Sequence, residues 1–201
     1  MLEALEVDCE RGGRMLFRSL SFSLRAGELL RVAGANGSGK TTLVRMLCGL
    51  LAPTQGEVRW KGKTISSLRE DYSRELIYIG HAPAVKDDLT AAENLSIACA
   101  IAGTPVDENA VAAALARFEV RQETPVRRLS QGQRRRAALA RLALGTARPL
   151  WLLDEPFAAL DAQGVLVLNR LLKEHTDRGG AIALTTHQDP GIGATSVIEL
   201  G

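Results

Sequence analysis

No stretch of this 201-residue sequence approaches the ~18–20 consecutive apolar residues that span a bilayer. The longest apolar segments, at 95–103 and 150–153, are too short. A basic, then apolar, leader is missing too: Glu3, Glu6, Asp8 and Glu10 occupy the N-terminus, so a cytoplasmic location is expected. Cysteine is scarce, and Cys9, Cys48 and Cys99 are odd in number and widely spaced. That excludes a disulfide framework or a paired zinc site and predicts reduced, buried thiols. No charge of one sign dominates: 25 Lys and Arg face 23 Asp and Glu, and a net charge of +2 is too small to argue for nucleic acid. Flexible linkers and repeats are also missing.

What is present is an ordinary globular composition, 46% hydrophobic and 24% charged, over a length suited to one large domain or a core with a small insertion. Periodicity predicts strands at 20–24 and 29–33, with a turn at Gly27 between them. A helix follows with Leu43, Met46, Leu47 and Leu50 on one face, ending near Gly49. A hairpin around Gly62 spans 57–65, and a buried strand covers 76–79. The texture then turns helical. Thr90 and Glu93 read as a capping box opening a helix to about 102, with further helices at 107–118 and 131–144. Strand signals return at 150–153 and 181–185, with a helix at about 161–174 between them. This order predicts an α/β core, about 1–86 and 145–201, with an N-terminal β subdomain and a helical unit inserted at about 87–144.

Gly34-Ala35-Asn36-Gly37-Ser38-Gly39-Lys40-Thr41 matches the phosphate-loop pattern and sits between the strand and the helix that the pattern requires. Its glycines let successive N–H groups turn toward phosphate oxygens, and the helix N-terminus adds its dipole. Lys40 should bridge the β- and γ-phosphates, the Thr41 hydroxyl should ligate Mg²⁺, and Thr42 should reach the α-phosphate side. A nucleoside triphosphate is the expected ligand.

Downstream, an apolar strand ends in Asp154 and Glu155. One acid can hold the Mg²⁺ shell (Asp154); the other is placed to accept a proton from an attacking water (Glu155). Ser130 and Gly132 open a second helix whose N-terminal N–H groups suit an anion. Two phosphate-binding helix ends in one chain suggest that the second serves a neighbouring molecule's nucleotide. The run Arg134-Arg135-Arg136 reads as a solvated or partner-facing edge. His175 reads as a plain helix-terminal residue.

At these residues the sequence resembles the ATP-binding-cassette family: phosphate loop at 34–41, signature at 129–133, acidic strand at 150–155, the loop at 158–161 and a switch histidine at His187. The resemblance implies a P-loop ATPase and a head-to-tail dimer sandwiching two ATPs. In it Ser130 and Gly132 of one subunit cap the γ-phosphate held by the other. It further implies that Asp161 links the two sites and that His187 contacts the γ-phosphate beside Glu155.

Three departures from the family pattern stand out. The signature reads Ser-Gln-Gly, and His81 takes the place of the Gln that senses Mg²⁺ and the membrane partner. No aromatic follows Cys9 to stack on adenine; Arg11 or Arg14 stands there instead.

The strings Cys-Glu-Arg-x-x-Arg (9–14), Ile-Gly-His (79–81), Gly-Gln-x-Arg-Arg (132–136), Asp-Glu-Pro-Phe (154–157) and Thr-Thr-His-Gln (185–188) resemble the ATP-binding subunits of bacterial cytochrome c biogenesis, the haem-exporter type. That implies integral membrane partners of the cytochrome c maturation system at the cytoplasmic face of the inner membrane. ATP hydrolysis would drive a haem-delivery or export step there. The chain has no Cys-x-x-Cys-His and its three histidines are scattered, so direct haem binding is not expected. The competing readings are a cassette ATPase for another small substrate and a non-transport factor on ribosomes or DNA. The arginine run is the only support for the second.

Overall fold

The computed structural model describes residues 1–187, 191 and 193–201. Strands β1 (Leu2–Arg11) and β2 (Arg14–Leu24) form an antiparallel hairpin through Gly12-Gly13. Strand β3 (Leu29–Gly34) leads through the phosphate loop into α1 (Lys40–Leu47). Then come β4 (Gln55–Trp60), β5 (Lys63–Thr64) and two short helices, α2 (Ile65–Leu68) and α3 (Glu70–Arg74). Strand β6 (Leu76–Ile79) precedes the helices α4 (Ala91–Ile101), α5 (Glu108–Arg117), α6 (Gln131–Leu139) and α7 (Arg141–Leu144). The chain closes with β7 (Leu150–Asp154), α8 (Ala162–Asp177), β8 (Ala181–Thr185) and β9 (Ser196–Leu200).

Two sheets result. One is antiparallel in the order β2-β1-β4-β5; the other is parallel in the order β6-β7-β8-β3-β9. Every residue of β7 and β8 is buried, which explains their unbroken apolar runs: a parallel strand covered on both faces has no solvent side to mark with polar residues. Alternation along β7 divides the core. Trp151 and Leu153 join the cluster under the helical unit, whereas Leu150 and Leu152 join the one beneath the antiparallel sheet.

This order decides where the site lies. Strand β8 is flanked by β7 and β3, with Asp154 and Val32 both in register with Thr185. The acidic pair and the phosphate loop are therefore two strands apart at the same carboxyl edge, where open α/β sheets bind ligands.

Several sequence expectations need correction. Leu50 is 65% exposed rather than on the buried face of α1. The helix stops at Leu47 because the Gly49 N–H bonds the Met46 carbonyl and the Leu50 N–H bonds that of Arg45, a Schellman closure that turns the chain outward. The helix expected over 131–144 is interrupted at Ala140. There the Ala143 N–H bonds back only three residues, tightening the turn between α6 and α7. Of the cysteines, all free, Cys48 is only partly buried. The arginine run is not an exposed edge: Arg135 is 2% and Arg136 8% exposed, and Arg134 pairs with Asp87 at 2.9 Å.

Candidate active site

A cavity of about 450 Å³ opens at the carboxyl edge of the parallel sheet, lined by Leu16, Asn36, Gly37, Gly39, Lys40, Thr41, Thr42, His81, Glu155, Ala158 and His187. Five elements converge on it. In the phosphate loop Gly34, Gly37 and Gly39 all have positive φ, a conformation that any side chain would strain. The Lys40 ammonium donates to the carbonyls of Gly34 at 2.8 Å and Ala35 at 3.0 Å, which holds the cation over the loop.

Asp154 is fully buried. Its Oδ1 accepts from the Thr41 hydroxyl at 3.0 Å and the Thr185 hydroxyl at 2.8 Å. Its Oδ2 has no hydrogen-bond partner among the described residues. A buried carboxylate oxygen without a protein donor is costly unless a cation faces it. Paired with the neighbouring Thr41 hydroxyl, it is an oxygen donor set that fits Mg²⁺.

Glu155 has a left-handed backbone, φ 49°, which costs a non-glycine residue on the order of 1–2 kcal/mol. Three contacts hold it there: its N–H donates to the Thr185 hydroxyl at 2.8 Å, and its carbonyl accepts from Arg135 at 2.7 Å and from the Ala158 N–H at 3.1 Å. The bend turns its carboxylate into the cavity, where Oε2 lies 3.0 Å from His187 Nδ1. Sequence reasoning passed over Thr185. The available signal was a hydroxyl at the last position of an apolar strand adjoining the acidic one.

The signature residues stand apart from this cavity wall. Ser130 caps α6 by accepting from the Gln133 N–H at 3.2 Å, while its own N–H donates to Gln133 Oε1 at 3.0 Å. Gly132 is packed so closely that a Cβ there would lie 2.7 Å from the Ala159 carbonyl oxygen. Asp161 caps α8 through the Gly164 N–H at 2.8 Å and pairs with Arg136, whose hydrogen bond holds its carboxyl below the usual range. His175 is no plain helix terminus: it is 1% exposed and stacked on Trp151. Arg11 and Arg14 lie exposed on the β1–β2 hairpin, and the apolar residue of that hairpin facing the cavity is Leu16. Gln188, the last residue of the Thr-Thr-His-Gln string, lies outside the described residues.

The family model described as ABC transporter matches residues 17–158. The chain is 53% identical over 191 residues to the cytochrome c biogenesis ATP-binding export protein CcmA of Aromatoleum aromaticum, covering 94% of this chain and 89% of that one. It is 48% identical to the protein of the same name from Nitrosomonas europaea, over 100% of this chain and 94% of the relative. An ATP-binding cassette solved as a dimer in a post-hydrolysis state with ADP and Pi superposes with a TM-score of 0.85 at 22% identity, covering 100% of this chain and 94% of that one. The parallel core, the antiparallel sheet and the inserted helices are those of a P-loop cassette ATPase, and the chain belongs to the ABC transporter family.

Proposed function

We propose that this chain is the ATP-hydrolysing subunit of a transporter complex for c-type cytochrome biogenesis, coupling ATP binding and hydrolysis to a haem-delivery or export step in a separate membrane subunit. The observation that carries the reading is the meeting of Lys40, Thr41, Glu155 and His187 in one cavity, in a chain about half identical to biogenesis ATPases over nearly its whole length.

The chemistry follows from the residues. Residues 34–42 (Gly34, Ala35, Asn36, Gly37, Ser38, Gly39, Lys40, Thr41 and Thr42) bind the triphosphate through loop N–H groups, the ammonium and the two hydroxyls. Glu155 accepts a proton from a water that attacks the γ-phosphorus. The bond to the bridging oxygen breaks, and ADP and phosphate leave. His187 orients Glu155 and reaches the γ-phosphate. Thr41 and Asp154 would hold Mg²⁺, which when bound neutralises charge on the phosphates. His81 links the cavity to the partner-facing loop.

Ser130, Gly132 and Asp161 complete the site of a second copy in a head-to-tail pair. In support, Ser130 and Gly132 open α6 at a helix N-terminus outside their own chain's cavity wall. Residues 1–201 act as one cassette, with 87–144 as the unit that meets the membrane subunits at the cytoplasmic face of the inner membrane. That unit exposes Ile97 and Ile101 on α4. No helix among the described residues is long and apolar enough to cross a membrane, which fits a separate membrane subunit.

The test is complementation of a bacterium lacking its own biogenesis ATPase. The chain should restore covalently haem-loaded c-type cytochromes, and Glu155→Gln should not. Robust ATP hydrolysis without any cytochrome restored would leave the ATPase standing and overturn the biogenesis role.

A further inference from the structure

Arg135 lies on α6, one turn past the signature, and is 2% exposed. All five of its N–H donors end on backbone carbonyls. Nε donates to Pro156 at 3.4 Å; Nη1 to Gly80 at 2.7 Å and His81 at 3.2 Å; Nη2 to Asp154 at 2.9 Å and Glu155 at 2.7 Å. Five donors in a rigid fork thus meet five acceptors drawn from two loops of the catalytic core. Among the described residues no carboxylate pairs with the guanidinium, and burial pulls its pKa down against the opposing pull of the Asp154 and Glu155 charges.

A buried cation held by carbonyls alone is an expensive choice for packing. An apolar residue of similar length would fill the space, but it would remove the shorter of the two hydrogen bonds to the strained Glu155 carbonyl, leaving only the local Ala158 N–H at 3.1 Å, and would cut every tie from α6 to the Gly80 and His81 carbonyls that Arg135 makes. The neighbouring arginines do different work: Arg134 reaches Asp87, and Arg136 reaches Asp161 and Glu119. Of the three arginines, Arg135 is the one that joins α6 to both the Glu155 backbone and the His81 loop among the described residues.

We propose that Arg135 is a positioning residue for hydrolysis: it fixes the backbone of Glu155 and His81 to the signature helix, so that Glu155 is aimed at its water only while α6 is in place. The inference rests on the reading of Glu155 as the proton acceptor. It makes the helical unit's position, through one side chain, a condition of turnover. Nucleotide binding, which uses the phosphate loop, is left largely independent of it.

The test is a double-mutant cycle on the full chain, following single-turnover hydrolysis of labelled ATP, with equilibrium ATP affinity and thermal unfolding measured in parallel. Arg135→Met should lower the hydrolysis rate about 100-fold, and Arg135→Lys, which keeps the charge and three donors, about tenfold. ATP affinity should stay within about threefold in both. In the Glu155→Gln background the same substitutions should cost less than about threefold further, because their effect passes through Glu155. Equal losses in both backgrounds would overturn the proposal while leaving Glu155 its role, as would a matching fall in ATP affinity. Should Glu155→Gln itself leave hydrolysis unchanged, the reading of Glu155 falls first. If Arg135→Met does not fold, Arg135→Lys carries the cycle; failure of both to fold makes Arg135 a framework residue and overturns the proposal.

Discussion

The Trp151 indole and the His175 imidazole lie face to face, centroids 3.8 Å apart and planes 7° from parallel, at the junction of β7 and α8. Gly180 packs against the ring so tightly that a Cβ there would lie 2.1 Å from Nε2. Burial pulls the His175 pKa down to about 4, with Arg178 acting in the same direction and backbone hydrogen bonds at Pro149 and Ala181 opposing. The folded state therefore binds fewer protons here than the unfolded state, whose histidine titrates near 6.5. Stability is fully present above pH 6.5 and is lost as pH falls toward 4, by up to about 3 kcal/mol. Urea titrations at pH 7.5 and pH 5 should show that slope. His175→Gln should flatten it whatever its own cost in stability; an unchanged slope would refute the assignment.

Gly132 and Ala159 make the second contact with a sharp expectation. A methyl group at 132 meets the Ala159 carbonyl oxygen at 2.7 Å, and backbone cannot yield as a flexible side-chain end can. Gly132→Ala should push the 158–161 loop and the α6 N-terminus apart. An overpacking cost of about 1–3 kcal/mol is expected, read as a lower thermal midpoint. ATP affinity of the single chain should change far less than stability, because Gly132 and Ala159 lie outside its cavity wall and Ala158 is the one residue of the displaced loop that lines it.

The parts of this molecule that were legible in the sequence are those where one local pattern has one physical solution. The phosphate loop is the clearest: glycines with positive φ between a buried strand and a helix leave few alternatives. Thr90 and Glu93 form their capping box, with the Glu93 N–H on the Thr90 hydroxyl at 3.1 Å. What depended on distant partners was not legible. Arg134, Arg135 and Arg136 are identical letters in a row, yet α6 sends two of them inward to carbonyls and acids that lie between 17 and 55 residues away in sequence. Strand β9 carries little apolar signal, because Ser196, Val197 and Glu199 are exposed on the edge of the sheet. Leu16 carries no local signature, being one apolar residue in a strand that only the fold turns toward the cavity, whereas Arg11 and Arg14 stay on the hairpin surface.

Leu16 accordingly yields a prediction about the base. It is the residue of the β1–β2 hairpin that faces the nucleotide cavity, close to Gly39. Truncation by Leu16→Ala should weaken ATP binding about fivefold, equivalent to about 1 kcal/mol of lost apolar contact. Arg11→Ala and Arg14→Ala should each change it less than twofold. Leu16→Tyr should tighten it, since stacking on a base is worth about 1–3 kcal/mol. Displacement of a fluorescent ATP analogue measures all four, and a larger effect at Arg11 or Arg14 than at Leu16 would move the base platform to the hairpin tip.

Thr185 sits between the two acids and serves both with one hydroxyl. It donates to Asp154 Oδ1 at 2.8 Å and accepts from the Glu155 N–H at 2.8 Å. Thr185→Val preserves shape but removes the donor and the acceptor together. The Asp154 carboxylate keeps only the Thr41 hydroxyl, and the Glu155 amide, already in a strained conformation, loses its acceptor. An orphaned group of this kind costs about 1–3 kcal/mol, so the thermal midpoint should fall. The rate constant for hydrolysis should drop by about tenfold or more, because the misplaced groups are the carboxylates proposed to accept the water's proton and to hold Mg²⁺. Thr185→Ser, which keeps the hydroxyl, should recover most of both losses. If Thr185→Val loses stability but keeps its full rate, the hydroxyl serves the sheet rather than the site.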